Sequence, residues 1–192
     1  MESFAVFLSY SFVTAFTPGP NNIMALSCAG AYGLRKGFRF CFGVCLGMLG
    51  VLSACAALGA VLFRLLPEVE PVMRGIGAAY LLWLAWSVFR SEAGEAEERP
   101  AGGILTGMLL QFVNPKFILY GITAFSSFVL PYDDSAPTLS CAVAGLAVIG
   151  FSGSCCWAVF GAVFRRFFRE HHTVANSLMA LSLVGCAASL YL

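Results

Sequence analysis

The sequence predicts an all-α membrane protein, with six transmembrane helices in a three-plus-three inverted repeat and with helices 1 and 4 broken. Three observations carry that prediction. The first is composition: 59% of the 192 residues are apolar, 11% are charged, and the mean hydropathy is +0.85. Soluble domains carry roughly 45–50% apolar and about 25% charged residues, and a soluble globule of this length has too much surface for its volume to hide the excess. The second is distribution, because the apolar residues fall into six continuous runs. The third is that proline interrupts the first and fourth runs at corresponding places. The same composition excludes a disordered chain, which needs low hydropathy and high charge. A formal net charge of +1 excludes a basic nucleic-acid-binding surface, so no nucleic acid is expected as a partner. The environment is a lipid bilayer.

Taken in order, run 1 covers about residues 4–31 and is interrupted by Pro18-Gly19-Pro20. Runs 2 and 3 cover about 40–63 and 72–89. Run 4, about 103–130, contains Asn114-Pro115-Lys116. Runs 5 and 6 cover about 138–164 and 174–192. A transmembrane helix needs about 20 such residues. The runs are continuous and do not alternate, so a lipid-facing strand barrel is excluded. The chain begins Met1-Glu2 with no basic segment, so helix 1 is expected to persist as a span and not as a cleaved leader. No lipidation motif is expected to anchor the chain.

Basic residues set the orientation. Arg35, Lys36 and Arg39 follow helix 1, Arg90 and Arg99 follow helix 3, and Arg165, Arg166 and Arg169 follow helix 5. The opposite loops hold only Arg64 and Arg74. By the positive-inside rule the first set of loops is cytoplasmic and both termini lie outside, in a multi-pass protein of the cell's inner membrane. The acidic stretch Glu92, Glu95, Glu97, Glu98 reads as a solvated cytoplasmic linker. It joins halves of about 1–92 and 99–192 within a single transmembrane domain spanning 1–192. Halves of three spans each insert with opposite topology, and a shift of 97 residues carries Pro18 onto Pro115. Matched interruptions in inverted halves point to a binding site at the repeat interface.

The chemistry gathers at those interruptions. Proline removes an amide donor and clashes with the preceding turn, at a cost of about 3 kcal/mol. In hydrocarbon the freed carbonyls need partners, so such a break is buried or lines a polar cavity. Thr17, Pro18, Gly19, Pro20, Asn21 and Asn22 form the first break, whose alternative reading is a packing kink. Gln111, Asn114, Pro115 and Lys116 form the second. Lys116 is the one charge well inside a run. A central lysine costs about 2.5–3.5 kcal/mol on insertion scales, so it faces a pathway or snorkels to an interface. The expectation is that Lys116 faces the first break and attracts a carboxylate.

These boxes, Thr17-Pro18-Gly19-Pro20-Asn21-Asn22 and Asn114-Pro115-Lys116 on six spans, resemble the LysE/RhtB amino-acid exporter family over essentially the whole chain. Tyr80, Trp83 and Trp86 after Gly77 fit the family's third helix. The stretches 110–114, 120–124, 128–131 and 156–158 resemble its cysteine/O-acetylserine exporter branch. The resemblance implies efflux of small neutral amino acids or derivatives, of the cysteine/O-acetylserine or homoserine/threonine type, driven by the proton gradient. The two breaks, Thr17–Asn22 with Gln111, Asn114, Pro115 and Lys116, are the candidate substrate-binding residues, and no cofactor and no enzymatic step are expected.

Other functions compete with this one. Eight cysteines invite a membrane thiol-disulfide electron carrier, but a relay needs a reactive cysteine near each break and run 4 has none. A non-transporting membrane subunit leaves the paired breaks and Lys116 without a purpose. No phosphate-binding Gly-Lys-Ser/Thr loop exists for nucleotide-driven transport. His171 and His172 lack the partners of a zinc site, so no metal is expected. Gly43-x-x-x-Gly47 and Gly103-x-x-x-Gly107 permit close helix contact, either within the chain or at the seam of a homodimer.

Overall fold

The computed structural model describes residues 2–90, 103–188 and 191. The acidic stretch 92–98 and Arg99 lie outside the described residues. Among the described residues every regular element is helical: α1 Glu2–Phe16, α2 Pro20–Tyr32, α3 Leu34–Phe89, α4 Ile104–Val113, α5 Pro115–Thr123, α6 Ala136–Val163, α7 Arg165–Glu170 and α8 His172–Ala188. A π-helical turn, Ala124–Val129, extends α5.

The first run is indeed two helices. α1 ends at Phe16, and α2 starts with Pro20 as its first residue. That position suits proline, because the missing N–H would have no partner there and the fixed φ already matches the helix. Pro115 is likewise the first residue of α5. The helix starts therefore match Pro20 with Pro115, where a shift of 97 from Pro18 was expected. α2 ends at Gly33, whose φ of 89° is the only positive φ among the described residues. Its N–H closes on Ala29 O at 2.9 Å, and α3 begins at the next residue.

Helices 2 and 3 were expected as separate spans. Helical bonding instead runs from Leu34 to Phe89 as one 56-residue element. The element is not straight. A straight helix would put Gly77 roughly 45 Å beyond Gly47. Yet a Cβ on Gly47 would lie 2.7 Å from Gln111 Cγ, and one on Gly77 would lie 2.7 Å from Pro115 Cδ. Gln111 and Pro115 are one turn apart in sequence, so α3 doubles back and both arms pack on the α4–α5 pair.

The first arm, Leu34–Leu58, and α6 are long and apolar enough to cross a membrane. The α4–α5 pair, bent by 64°, would make a third span. Phe4–Phe16 and Thr173–Ala188 are shorter apolar helices. α7 replaces an expected loop, with an exposed Arg166–Glu170 pair at 2.8 Å, one turn apart. Glycine brings the helices together. Gly43 lies on Ile104 O, Gly47 on Met108 O and Gly107 on Phe40 O, with no room for a Cβ at any of them. Those three glycines therefore serve contact within the chain. Large apolar side chains such as Phe12, Leu46, Trp83, Val148 and Leu181 point outward, as suits hydrocarbon.

Candidate functional site

The first break frees carbonyls at the end of α1, and side chains meet them one by one. Thr17 Oγ1 donates to Thr14 O at 3.0 Å. Asn22 Nδ2 donates to both Ala15 O (2.8 Å) and Thr17 O (2.9 Å). Trp157 Nε1, from α6, donates to Phe16 O at 3.0 Å. Lys116 Nζ, from α5, donates to Pro18 O at 3.1 Å and to Thr17 Oγ1 at 3.0 Å. In a medium without water each such carbonyl, left unpaired, would cost on the order of several kcal/mol. The sequence Thr-Pro-Gly-Pro-Asn-Asn thus opens the helix and supplies much of its own repair.

The second break is tied to the first by amides. Asn21 Nδ2 donates to Gln111 Oε1 at 2.8 Å, and Gln111 Nε2 returns a bond to Asn21 Oδ1 at 3.0 Å. Gln111 Nε2 also donates to Gly107 O at 3.0 Å, within its own helix. Asn114 Nδ2 donates to the same Asn21 Oδ1 at 3.1 Å, while its Oδ1 accepts from Phe117 N–H at 3.4 Å and caps α5. All three side chains are buried. They form a neutral latch between residues some 90 positions apart in sequence.

Between the breaks lies a cavity of about 40 Å³, room for a few waters. Of the expected residues, Gly19, Pro20, Asn21, Asn22, Asn114 and Lys116 line it. Thr17, Pro18 and Gln111 do not line it and act behind it, as hydrogen-bond partners of the lining groups, while Pro115, also outside the lining, starts α5 and packs against Gly77. Lys116 reaches the first break and does not snorkel away, and its stem passes over Gly19. A Cβ on Gly19 would sit 3.0 Å from Nζ and 3.2 Å from Cδ. Since φ there is −172°, glycine is needed for close approach and not for strain.

Both proline-led helices begin at this cavity. The first backbone bond of α2 is Ile23 N–H to Gly19 O (2.9 Å), and α5 starts with Phe117 and Ile118 N–H on Asn114 O (3.0 and 3.1 Å). Helix starts carry partial positive charge and unpaired N–H groups. Two starts and one ammonium on a single cavity make it a place for an anionic group. Ser154 from α6 also lines it and donates to Asn22 Oδ1 at 3.2 Å.

The sequence reasoning missed Ser154, Trp157, Met48, Gly150 and Tyr120 as residues of this site. Trp157 had a readable signal, since a buried indole N–H usually finds a partner. Tyr120 lines the cavity and is buried, and its hydroxyl has no hydrogen-bond partner. Ser11, across from it on α1, gives its proton to Phe7 O. No cysteine lines the cavity. Among the described residues no group of His, Cys, Asp and Glu is placed to hold a metal ion.

Comparison with known proteins bears on the same residues. The chain is 43% identical over 188 residues to a protein of Salmonella typhimurium (strain LT2) named cysteine/O-acetylserine efflux protein, covering 97% of this chain and 96% of that one. It is 40% identical over 189 residues to the protein of that name in Escherichia coli (strain K12), with the same coverage. No solved structure matches. The family model described as LysE type translocator matches residues 12–192, which takes in both breaks and every wall of the cavity. The chain belongs to the LysE type translocator family.

Proposed function

We propose that this protein is a secondary exporter, not an enzyme, that moves small neutral amino acids or their derivatives outward across the inner membrane. Cysteine and O-acetylserine head the substrate list, as the relatives' names suggest. The observation that carries the reading is the convergence of Lys116 and two helix starts on one small cavity. An amino acid presents a carboxylate and an ammonium, and a carrier must replace the water around both. The carboxylate takes the free N–H groups at the start of α2 and an N–H of Lys116. The ammonium takes the second lone pairs of the break carbonyls and of Asn22 Oδ1. Gly19, Pro20, Asn21, Asn22, Asn114 and Lys116 bind, while Thr17, Pro18, Gln111 and Pro115 position them.

The six-span inverted repeat, with both termini outside, belongs to this reading. Its supports are the matched prolines at the starts of α2 and α5 and the two arms of α3. Drive by the proton gradient belongs to it too, since the chain carries no nucleotide-binding loop. The test is efflux from substrate-loaded proteoliposomes across an amino-acid panel, with and without an imposed pH gradient. Cysteine and O-acetylserine efflux should exceed leakage about tenfold and respond to the gradient. Lys116→Ala should reduce efflux to leakage at normal protein levels. Lys116→Arg should retain little, because a planar fork does not replace a compact ammonium. An alanine variant exporting at the parental rate would mean that the site lies elsewhere.

A further inference from the structure

The walls of the cavity are chemically divided. Lys116, Asn22 and Ser154 make the polar side. Tyr120 stands one turn beyond Lys116 on α5, and Gly150 one turn before Ser154 on α6. Both steps lead the same way. The Tyr120 ring stacks on Tyr10 of α1 at 5.6 Å. Gly153 against Ala15, and Trp157 against Phe16, show α6 running in the same sense as α1. The end of the cavity toward Tyr10 is therefore the less polar one, roughly 6 Å from the lysine level.

Met48 closes that end. It lines the cavity from the first arm of α3 and is buried. A Cβ on Gly150 would lie 2.7 Å from Met48 Sδ and 2.9 Å from Cε. Gly150 differs here from the glycines at helix contacts. Gly43, Gly107, Gly153 and Gly161 each face a backbone carbonyl of a neighbouring helix, whereas Gly150 meets only the tip of Met48. Its bare backbone does not serve helix approach. It leaves room for an adaptable thioether that ends the cavity.

We propose that Met48, seated on Gly150, sets the length of substrate side chain that the site accepts. This rests on the reading of the cavity as the amino-acid site. With the carboxylate at Lys116, the substrate side chain extends toward Tyr120 and meets Met48. Met48 lines the cavity and Gly150 lies against its tip, so a gain or loss of heavy atoms at either residue changes the length of the cavity at this end. Met48→Ala removes Cγ, Sδ and Cε and lengthens the cavity. Gly150→Ala adds a Cβ that drives the Met48 tip inward and shortens it. The two changes act in opposite directions, and the double variant offsets them.

The experiment loads proteoliposomes with an equimolar mixture of cysteine, O-acetylserine and methionine and follows the ratio of their efflux rates, which is independent of protein level. Discrimination by one methylene in a pocket runs to roughly 10–200-fold. Met48→Ala should raise the methionine-to-cysteine ratio about tenfold or more. Gly150→Ala should lower the O-acetylserine-to-cysteine ratio by a similar factor, and the double variant should return toward the parent. Met48→Val gives the same direction with a smaller effect if the alanine variant does not accumulate. Parental ratios in all variants would overturn the role of Met48 while leaving the exporter reading standing. Absence of efflux from the parent protein would overturn both.

Discussion

At the scale of single residues, Asn22 is the side chain on which the first break most depends. Its amide holds Ala15 O and Thr17 O and accepts from Ser154. Asn22→Ala leaves two part-buried carbonyls without this donor, at up to about 1–3 kcal/mol each. The expected outcome is a loss of thermal stability in detergent, read by melting of the purified protein, with Asn22→Ser recovering less than half. An unchanged melting point would show that water meets the carbonyls as well as the amide does. Tyr120 behaves oppositely. Its hydroxyl is buried and unpartnered, and buried polar groups without partners are uncommon enough to need a reason. Tyr120→Phe should keep or raise the melting point, because an orphan hydroxyl is removed without loss of ring packing. It should also slow efflux of substrates whose side chains carry a hydrogen-bonding atom, several-fold relative to 2-aminobutyrate. Equal slowing of both would assign the ring, not the hydroxyl, to the site.

At the scale of elements, the entry into α6 has a pH-dependent support. Asp133 accepts from Ser135 N–H at 2.8 Å, from Ser135 Oγ at 3.0 Å and from Thr138 Oγ1. These bonds favour the charged form, so its carboxyl is held below the ordinary 3.8, with the Thr138 bond the largest cause. A depressed folded value means support that is complete above the unfolded pKa and is lost as pH falls through the folded one. The first turn of α6 should therefore lose amide-exchange protection, measured against the intrinsic rate at each pH, below about pH 4, and Asp133→Asn should flatten that dependence. How much could be read beforehand also divides by element. The breaks were legible because proline acts locally: Pro20 and Pro115 each open a new helix, and Pro18 lies in the turn between α1 and α2. Lys116 was legible because a charge in hydrocarbon needs a destination. Ser154 and Gly150 were not, because α6 is apolar on every side, and periodicity then cannot say which face turns inward. The joining of the third helical run to the second was illegible for a different reason: Pro67, Glu68, Glu70 and Pro71 between the runs read as a loop, yet helical bonding continues through them.

At the scale of the whole molecule, the proposed six-span arrangement has an odd number of spans on each side of residues 92–98 and so predicts both chain ends on the same face of the membrane. A reporter fused after Leu192 should read as outside the cytoplasm, and one inserted at 92–98 as cytoplasmic. Both reporting the same side would exclude six spans. The two halves meet through the latch Asn21–Gln111–Asn114 and through Lys116, so the cavity belongs to neither half alone.

That latch is made of amides, and amides do not titrate. Salt does not screen it, and no pH near neutrality loosens it. Around the cavity, the lining side chains that can gain or lose a proton are Lys116 and Tyr120; the rest are amides, hydroxyls of serine and threonine, apolar groups and bare backbone. The proton inventory of the cavity is therefore two side chains plus the ionisable groups that a solute brings with it. A pH gradient acting at this cavity is read by the ammonium of Lys116, by the phenol of Tyr120 or by the cargo itself. Under the proposed proton drive, the number of protons moved per molecule exported is bounded by that inventory.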